Sequence, residues 1–372
     1  MVNLSVDLPD ERFGTAALHE ALRAIETLGF TVERGRGGDA FLAWLDDEFG
    51  GTWSSEAFAG ESVIARKDGR FAGFATYDPR GLRFKWLRGL GAREGTGIFG
   101  PFGVAREFRK SGIGPHLLAA AIGSLQERGY RTALIPAVGD DKLIAYYQTH
   151  AGASVAEQFD RGEWFKRRYR TVVLASGNGS NFQAVLDRAN DGRLPLEITA
   201  LVCNRPGAYC LERAQTANVR GVVHPWIRKE SSRLAYDERL LELVGNEAPD
   251  LVLLLGWMHL LSPAFIDAFT SINIHPAFLP LDQRQESVTY PDGFTGSAFR
   301  GAAAVADALA SNSRWTGASA HVVSNEADRG PVLTRKPMPI APGEDAAAVM
   351  QRLHPLEHIT LSGGIMRWVF EQ

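Results

Sequence analysis

The sequence has few of the features that mark secreted, membrane or metal-binding proteins. Its 372 residues include two cysteines, Cys203 and Cys210, so a disulfide framework or a four-ligand zinc site is not expected. The nine histidines show no metal-ligand spacing either. Apolar runs stay well short of a bilayer span, and residues 1–13 lack the basic and then apolar pattern of a signal peptide. We therefore expect a cytoplasmic protein without a metal or a membrane partner.

The chain also lacks a large excess of positive or negative charge. The chain has 40 Lys and Arg against 43 Asp and Glu, a net charge of −3, so no basic field points to nucleic acid. Hydrophobic residues make up 45% and charged residues 22%, which is ordinary for globular proteins. A chain of this length is expected to form two or three domains.

A change of pattern near residue 168 predicts domains at 1–167 and 168–372. In the first, a helix over Gly14–Leu28, a hairpin around Asp68-Gly69 and a helix over Ile113–Arg128 indicate a mixed α+β fold. In the second, strands alternate with helices, which is typical of parallel β-α-β units. Its strands Val172–Leu174 and Leu251–Leu255 are apolar without alternation, as in sheets covered on both faces.

Ser176–Asn181 directly follows a predicted strand and opens a helix. Backbone N–H groups at such a turn converge on an anion, and the helix dipole favours negative charge there. The motif alone fits a phosphate site and a plain glycine-rich turn equally well.

Asn273 and His275 lie two residues apart in a predicted strand, so their side chains share a face. An amide that donates to an oxyanion beside an imidazole that carries a proton suits acyl chemistry. Asp328, in a loop before the strand Val332–Arg335, could orient that imidazole and raise its pKa. Each residue taken singly is more often structural.

In their order and spacing these motifs resemble the folate-dependent formyltransferases, most closely those that act on glycinamide ribonucleotide. The resemblance runs from about Tyr169 to the C-terminus, and includes Leu211–Ala214, Pro249-Asp250 and Glu357-His358. It implies a Rossmann-like domain with a mostly parallel sheet and 10-formyltetrahydrofolate as the formyl donor.

The resemblance also implies residue roles. Catalysis falls to Asn273, His275 and Asp328. Binding of an acceptor, which a retained phosphate loop indicates is phosphorylated, falls to Gly179, Ser180, Asn181, Arg233 and Glu357. Binding of the donor falls to Met258, His259, Leu260 and Leu261. An amine would attack the formyl carbon, the Asn273 amide and a protonated His275 would stabilise the oxyanion, and Asp328 would keep the imidazole charged.

The chain departs from this family in two ways. His259 stands where an Arg is usual and His354 where a Gln is usual. The connection between Pro280 and Gly317 is longer than usual, and is expected to be a lid, a specificity element or a neutral surface insertion. The donor chemistry is therefore expected to be retained, while the acceptor stays open.

In the first domain, Arg109–Gly114 lies between a predicted strand and a helix, where backbone N–H groups suit a pyrophosphate. Residues 60–156 resemble the GNAT family of N-acetyltransferases, which implies acetyl-CoA or another acyl-CoA as cofactor. The pyrophosphate would be held by Arg109, Lys110, Gly112, Ile113 and Gly114. Tyr147 would protonate the departing thiolate. Glu107 and Asp140 are the acids nearby, and neither is assigned as the base.

These observations favour a bifunctional amine-acylating enzyme of specialised biosynthesis. One alternative is a glycinamide ribonucleotide formyltransferase of purine synthesis with an accessory GNAT-like domain. An amino sugar nucleotide or an amino acid derivative is a further possible acceptor. A protein that senses folate and acyl-CoA without catalysis is the alternative from another functional class.

Overall fold

The computed structural model describes residues 1–9, 11–82, 84–227, 229 and 232–372, with the side chain of residue 161 left out. The chain divides into two compact units. The first comprises Met1–Arg161, Tyr290–Phe294 and Phe370–Gln372, and the second comprises Gly162–Thr289 and Thr295–Val369. The domain boundary between residues 167 and 168 stays a prediction. No helix in the described part of the chain is long and apolar enough to cross a bilayer.

The first unit is an α+β fold around a seven-stranded sheet. Its strands are β1 (Val2–Asp7), β2 (Thr31–Gly35), β3 (Glu61–Lys67), β4 (Arg70–Tyr77), β5 (Thr96–Val104), β6 (Thr132–Val138) and β7 (Ser154–Gln158). Its helices are α1 (Thr15–Thr27), α2 (Asp39–Glu48), α3 (Trp53–Ala59), α4 (Ile113–Glu127) and α5 (Asp141–Ala151). The strand order is β2-β3-β4-β5-β6-β1-β7, and only β5 and β6 are paired in parallel.

Helix α4 forms the centre of this unit's core. Its apolar residues are buried against α1 and the sheet, and include Ile113, Leu117, Leu118, Ala121, Ile122 and Leu125. The predicted hairpin is present as β3 and β4, with Asp68 and Gly69 both at positive φ, as a two-residue type I′ turn requires. The sequence pattern did not indicate β1, which lies between β6 and β7.

Strands β5 and β6 are paired over only part of their length. Their parallel register covers Thr96–Ile98 and Thr132–Leu134, although the strands continue to Val104 and Val138. The hydrogen-bonded ladder therefore stops before the sheet edge from which the chain enters α4.

The second unit contains a seven-stranded sheet and a two-stranded hairpin. Its strands are β8 (Tyr169–Ala175), β9 (Leu196–Cys203), β10 (Arg220–Val223), β11 (Leu251–Leu254), β12 (Ser271–His275), β13 (Ser287–Thr289), β14 (Thr295–Ser297), β15 (Trp315–Val322) and β16 (Val332–Pro339). Its helices are α6 (Ser180–Asn190), α7 (Tyr209–Thr216), α8 (Arg233–Gly245), α9 (Pro263–Ala268), α10 (Ala304–Ala310) and α11 (Ala346–Glu371).

The large sheet has the order β10-β9-β8-β11-β12-β15-β16. The first five strands are parallel, and β15 and β16 are antiparallel to their neighbours. This confirms the predicted Rossmann-like architecture with a mostly parallel sheet. The hairpin β13–β14 lies within the long connection that the sequence singled out.

The topology of the sheet places a crevice beside β8. From β8 the chain adds β9 and β10 on one side, and then returns to place β11 and β12 on the other. Ligands of open α/β sheets bind where the strand order reverses, at the carboxyl ends of the strands. The segments after β8, β11 and β12 all emerge at this edge.

We predict that Leu253→Ala lowers the free energy of unfolding by about 2–5 kcal/mol, because it leaves a cavity in a central strand covered on both faces. Leu253 is fully buried, whereas Leu234, on α8, is 68% exposed and provides the matched control. Urea unfolding measures both. Equal losses from Leu253→Ala and Leu234→Ala would contradict this view of β11.

Candidate active site

A cavity of about 1080 Å³ lies at the carboxyl edge of β8, β11 and β12. It is large enough for a drug-sized ligand. Its lining includes residues 177–181, 254–261, 273–276 and 301–303, with His321, Asp328, His354 and Glu357. All the residues predicted for the formyl-transfer site line this cavity except Arg233. The structure therefore brings together side chains separated by up to 178 positions, from Gly179 to Glu357.

The Asp328 carboxylate is the centre of the polar wall of this cavity. Its Oδ2 accepts a hydrogen bond from the Gly301 amide at 2.7 Å and lies 3.5 Å from His275 Nδ1. Its Oδ1 lies 3.3 Å from His321 Nε2 and 3.4 Å from Asn273 Nδ2. The three residues predicted to be catalytic thus form one connected group.

His321 belongs to this group and the sequence analysis missed it. It lies in β15 directly opposite Asn273 in β12, with Asn273 Nδ2 at 3.2 Å from His321 Nε2. The available signal was a histidine in an apolar strand seven residues before Asp328. That signal is weak, because the antiparallel register that places His321 beside Asn273 is not visible in the sequence.

The pKa values of Asp328 and His275 are shifted by different causes. Burial raises the pKa of Asp328, but His321, His275 and the Gly301 amide outweigh this and hold it well below the usual range. Burial lowers the pKa of His275 by more than the charge of Asp328 raises it. Asp328 is therefore ionised at neutral pH, and the His275 imidazole is neutral.

This result corrects the expectation that Asp328 keeps His275 charged. Only 4% of His275 is exposed, and its Nε2 lies 2.8 Å from the carbonyl oxygen of Phe299. Because a carbonyl only accepts, Nε2 carries the proton. The single N–H of this neutral imidazole is donated to the Phe299 carbonyl, so Nδ1, which lies 3.5 Å from Asp328 Oδ2, carries no proton and is the nitrogen that can accept one.

The predicted phosphate loop connects β8 to α6. Gly179 is the residue before the helix and has a φ of 77°, and a Cβ atom at this position would lie 2.7 Å from Cys210 Cβ. Because the residue before α6 is a glycine, it has no side chain to cap the helix, and the first N–H groups of α6 are available to an anion. Arg213 fixes the loop by donating from Nε to the Asn178 carbonyl at 2.9 Å.

Asn181 and Glu357 form a second polar patch in the lining. Asn181 Nδ2 donates to Glu357 Oε2 at 3.3 Å, and Asn181 Oδ1 is buried with no partner among the described residues. Burial raises the pKa of Glu357 to about 7. The pair therefore offers a partly protonated carboxyl group and a free acceptor to a ligand hydroxyl or amine.

The segment Met258–Leu261 follows β11 and lines the cavity. Met258 and Leu260 are largely exposed, and the Met258 amide donates to Ser176 Oγ at 3.3 Å. The indole N–H of Trp257 is buried in the lining with no partner among the described residues. An apolar wall that holds an unused donor fits a flat, polar-edged ring such as a pterin.

Arg233 lies outside the cavity lining. Its Nε pairs with Asp237 at 2.8 Å, and its guanidinium lies over the rings of Trp226 and Tyr236. It also donates to the carbonyl oxygen of Leu260. Arg233 therefore supports the Met258–Leu261 segment, and none of its hydrogen bonds or ion pairs among the described residues is with the phosphate loop.

The predicted pyrophosphate loop of the first unit ends at α4. Arg109 and Lys110 are exposed, Lys110 and Gly112 both have positive φ, and Gly112 is the residue before the helix. Ser111 Oγ is buried with no partner among the described residues. Successive N–H groups in such a turn form an anion-binding concavity, so the loop fits a pyrophosphate.

Two adjacent tyrosines in α5 differ in their relation to this loop. Tyr147 is buried against Phe99 and Phe102, and burial raises its pKa strongly. The Tyr146 hydroxyl has no partner among the described residues, and a Cβ atom at Gly114 would lie 3.0 Å from it. The role of Tyr147 stays a prediction, but the hydroxyl next to the loop is that of Tyr146.

The two acids near this loop both have structural partners. Glu107 forms an ion pair with Arg70 at 2.8 Å, and both side chains are exposed. Asp140 caps α5 by accepting from the Leu143 amide at 3.0 Å. Neither acid is therefore marked as a general base by its surroundings. No group of three or more His, Cys, Asp or Glu side chains within the described ranges is arranged to hold a metal ion.

Comparison with known families matches both units. The model of the formyl transferase family matches residues 169–365, and the model of the GNAT acetyltransferase family matches residues 14–153. These spans contain the cavity lining from Gly177 to Glu357 and the loop Arg109–Gly114, respectively.

Individual relatives match the second unit. Phosphoribosylglycinamide formyltransferase of Escherichia coli (strain K12) is 34% identical over 190 residues, which are 50% of this chain and 81% of that protein. The enzyme of the same name from Schizosaccharomyces pombe is 33% identical over 207 residues, 51% of this chain and 92% of that protein. A crystal structure of glycinamide ribonucleotide transformylase 1 from Geobacillus kaustophilus is 33% identical, covers 55% of this chain and 100% of that chain, and has a TM-score of 0.47.

We predict that Glu357→Gln changes the pH dependence of stability. The pKa of Glu357 rises from 4.5 to about 7 on folding, so its protonated form stabilises the protein at low pH, and that contribution is lost as the pH rises through 7. Above pH 7 the variant is expected to be more stable than the wild type by up to about 3 kcal/mol, with the difference vanishing near pH 4.

Urea unfolding at a series of pH values measures this difference. Glu238→Gln, at an exposed position on α8, provides the matched control. If the curves of Glu357→Gln and the wild type run parallel from pH 4 to pH 8, the Glu357 carboxyl group does not have the raised pKa that its burial implies.

Proposed function

Because the chain belongs to the formyl transferase family, we propose that its second unit transfers a formyl group from 10-formyltetrahydrofolate to the amine of a small acceptor. This proposal rests on the set of residues that line one cavity. Asn273, His275 and Asp328 form one wall, and the anion-binding turn at Gly179 and the donor-facing segment after β11 form the others.

The wall supplies the groups that formyl transfer needs. As the amine attacks the formyl carbon, negative charge develops on the carbonyl oxygen, and hydrogen-bond donors aimed at it lower the barrier. The Asn273 amide is the donor available, because the N–H of His275 is already donated to the Phe299 carbonyl. His275 Nδ1 accepts the proton that the amine loses, and the Asp328 carboxylate stabilises the imidazolium so formed. When the tetrahedral intermediate collapses, the bond between the formyl carbon and the folate nitrogen breaks, and the imidazolium returns the proton to that nitrogen as tetrahydrofolate leaves.

The residues present also fit the donor. Trp257, Met258 and Leu261 give the flat apolar surface and unused N–H that a pterin ring would occupy, and the Met258–Leu261 main chain lies at its edge. The donor supplies the activated formyl group, and these residues would orient it. The proposal assigns donor binding to Met258, His259, Leu260 and Leu261.

For the acceptor, glycinamide ribonucleotide is the first candidate. The relatives are phosphoribosylglycinamide formyltransferases, and the turn before α6 suits a phosphate bound by Gly179, Ser180 and Asn181. Glu357 would accept a hydrogen bond from a ribose hydroxyl group. Arg233 would contribute positive charge to a phosphate only after its ion pair with Asp237 breaks.

A second candidate acceptor is an amine of specialised biosynthesis, and the histidines of the lining favour it. His259 takes the place of an arginine, and burial and the nearby Arg233 lower its pKa, so it adds no charge at neutral pH. His354 replaces a glutamine in the same cavity. Complementation of a purine-requiring strain by the chain would favour purine synthesis, and failure would favour the second candidate.

We also propose that the first unit is an acyl-CoA-dependent N-acyltransferase. Its GNAT family match and the built anion site at Arg109–Gly114 support an acyl-CoA pyrophosphate. Acetyl-CoA is the first cofactor to test. The buried free thiols Cys203 and Cys210 support a reducing compartment such as the cytoplasm. The connected catalytic group in the second unit speaks against a role limited to sensing folate and acyl-CoA.

We predict that His275→Ala lowers kcat for formyl transfer on the order of 100-fold or more, because the base that takes the proton of the amine is lost. Release of tetrahydrofolate in the presence of glycinamide ribonucleotide measures turnover, and donor binding is expected to change little. His19→Ala, at an exposed position, provides the matched control. Unchanged turnover in folded His275→Ala would remove His275 from the mechanism.

We predict that Gly112→Glu weakens CoA binding at least tenfold, because a carboxylate would enter an anion site at a helix N-terminus. Gly129→Glu is the matched control, since Gly129 also has positive φ and lies in open space beyond the other end of α4. Calorimetric titration with CoA measures both. Equal affinities for the two variants would contradict a CoA site at this loop.

A further inference from the structure

The segment from Leu281 to Gly301, here called the 281–301 segment, contacts the catalytic group through its main chain. The Phe299 carbonyl accepts from His275 Nε2 at 2.8 Å, and the Gly301 amide donates to Asp328 Oδ2 at 2.7 Å. Three consecutive residues of this segment therefore determine the surroundings of both side chains. This contact excludes a neutral surface insertion, which was one expectation for the segment.

Arg300 lies between these two contacts and its side chain is 12% exposed. Its Nη2 donates to the carbonyl oxygens of Gln285 at 2.9 Å and Gln283 at 3.5 Å. Its Nε donates to the Asp328 carbonyl oxygen at 3.3 Å. One guanidinium thus joins the start of the segment, its end and the loop that carries Asp328.

Glu286 and Arg329 complete this connection from the other side. Arg300 Nη1 lies 3.2 Å from Glu286 Oε2, and Arg329, the residue after Asp328, pairs with Glu286 Oε1. Arg329 Nη1 also donates to the Gln283 carbonyl oxygen at 3.0 Å. The Glu286 side chain is 73% exposed, so the acid is shared by two arginines at the surface while Arg300 reaches inward.

We propose that Arg300 is a positioning residue for formyl transfer, which fastens the 281–301 segment to the Asp328 loop so that Gly301 N–H and Phe299 C=O hold Asp328 and His275 in their reactive orientation. The proposal rests on the proposed function of the cavity. Arg300 contacts main-chain atoms and Glu286 rather than the cavity, so it acts through Gly301 and Phe299 and not on the substrate.

The chemistry of arginine explains why this residue type is needed. A planar guanidinium offers five N–H donors in a fixed fork, and Arg300 uses donors on three nitrogens for separate partners. A lysine keeps the charge but acts as a point donor on a flexible stem. Since small displacements of catalytic groups cost much of the rate, loosening this connection should affect turnover more than binding.

The test compares Arg300→Lys with Arg284→Lys in the full chain. Arg284 lies in the same segment, its side chain is 89% exposed, and it pairs with Asp282 alone among the ion pairs within the described ranges. Steady-state kinetics with 10-formyltetrahydrofolate and glycinamide ribonucleotide give kcat and KM. Amide hydrogen exchange, followed by NMR, gives the protection of the Gly301 N–H without any substrate.

For Arg300→Lys we expect kcat to fall on the order of 10-fold to 100-fold with KM for the donor within about 2-fold. Exchange of the Gly301 amide should accelerate at least about tenfold, because its hydrogen bond to Asp328 opens more often. Arg284→Lys should match the wild type in both measurements. Because Glu286 is exposed, Glu286→Gln is expected to fold even if Arg300→Lys does not. This second variant should also lower kcat and accelerate exchange of the Gly301 amide.

Unchanged Gly301 exchange in the variants would overturn the proposal, as would a kcat equal to that of the wild type. A fall in unfolding free energy with kcat and KM unchanged would also overturn it, since that outcome describes a purely structural residue. If the wild type shows no turnover with glycinamide ribonucleotide, the proposed acceptor fails, and the exchange of Gly301 still decides whether Arg300 fastens the segment.

Discussion

A buried carboxylate must be surrounded by hydrogen-bond donors, and this requirement organises the site around Asp328. Its two oxygens face two imidazoles, one amide side chain and one backbone N–H, and these partners come from β12, β15 and the 281–301 segment. Removing this carboxylate would take away the acceptor that the Asn273 amide and the Gly301 N–H share. Strand β15, which pairs with β12 through the main chain, and the 281–301 segment both bring groups into contact with this carboxylate.

Much of the second unit could be predicted from the sequence because its signals are local. The apolar strands Val172–Leu174 and Leu251–Leu254 and the turn at Ser176–Asn181 each appear within a few residues. The position of His275 two residues after Asn273 likewise places both on one strand face.

Features of the site that depend on contacts between distant segments of the chain could not be predicted. His321 becomes a neighbour of Asn273 only through the register of β15. The neutral state of His275 follows from its burial, which lowers its pKa by more than the charge of Asp328 raises it, and the extent of this burial is not visible in the sequence. The separate positions of Tyr146 and Tyr147 depend on the rotation of α5, since adjacent residues on a helix point in directions about 100° apart.

The two units differ in how closely their geometry specifies their chemistry. The second unit has a large cavity whose wall holds a connected catalytic group, and family relatives match most of their own length to it. The first unit has an anion-binding turn and two tyrosines, while Glu107 and Asp140 have structural partners. Its family match therefore supports acyl-CoA as the class of cofactor. Experiments are needed to identify the acceptor and the acyl group.

The most direct test of the account is a formyl-transfer assay with the full chain, 10-formyltetrahydrofolate and glycinamide ribonucleotide, with tetrahydrofolate release followed with and without the acceptor. The account predicts release that requires an amine acceptor and the intact group at Asn273, His275 and Asp328. Binding of donor and acceptor without any release, with this ribonucleotide and with other phosphorylated amines, would contradict it.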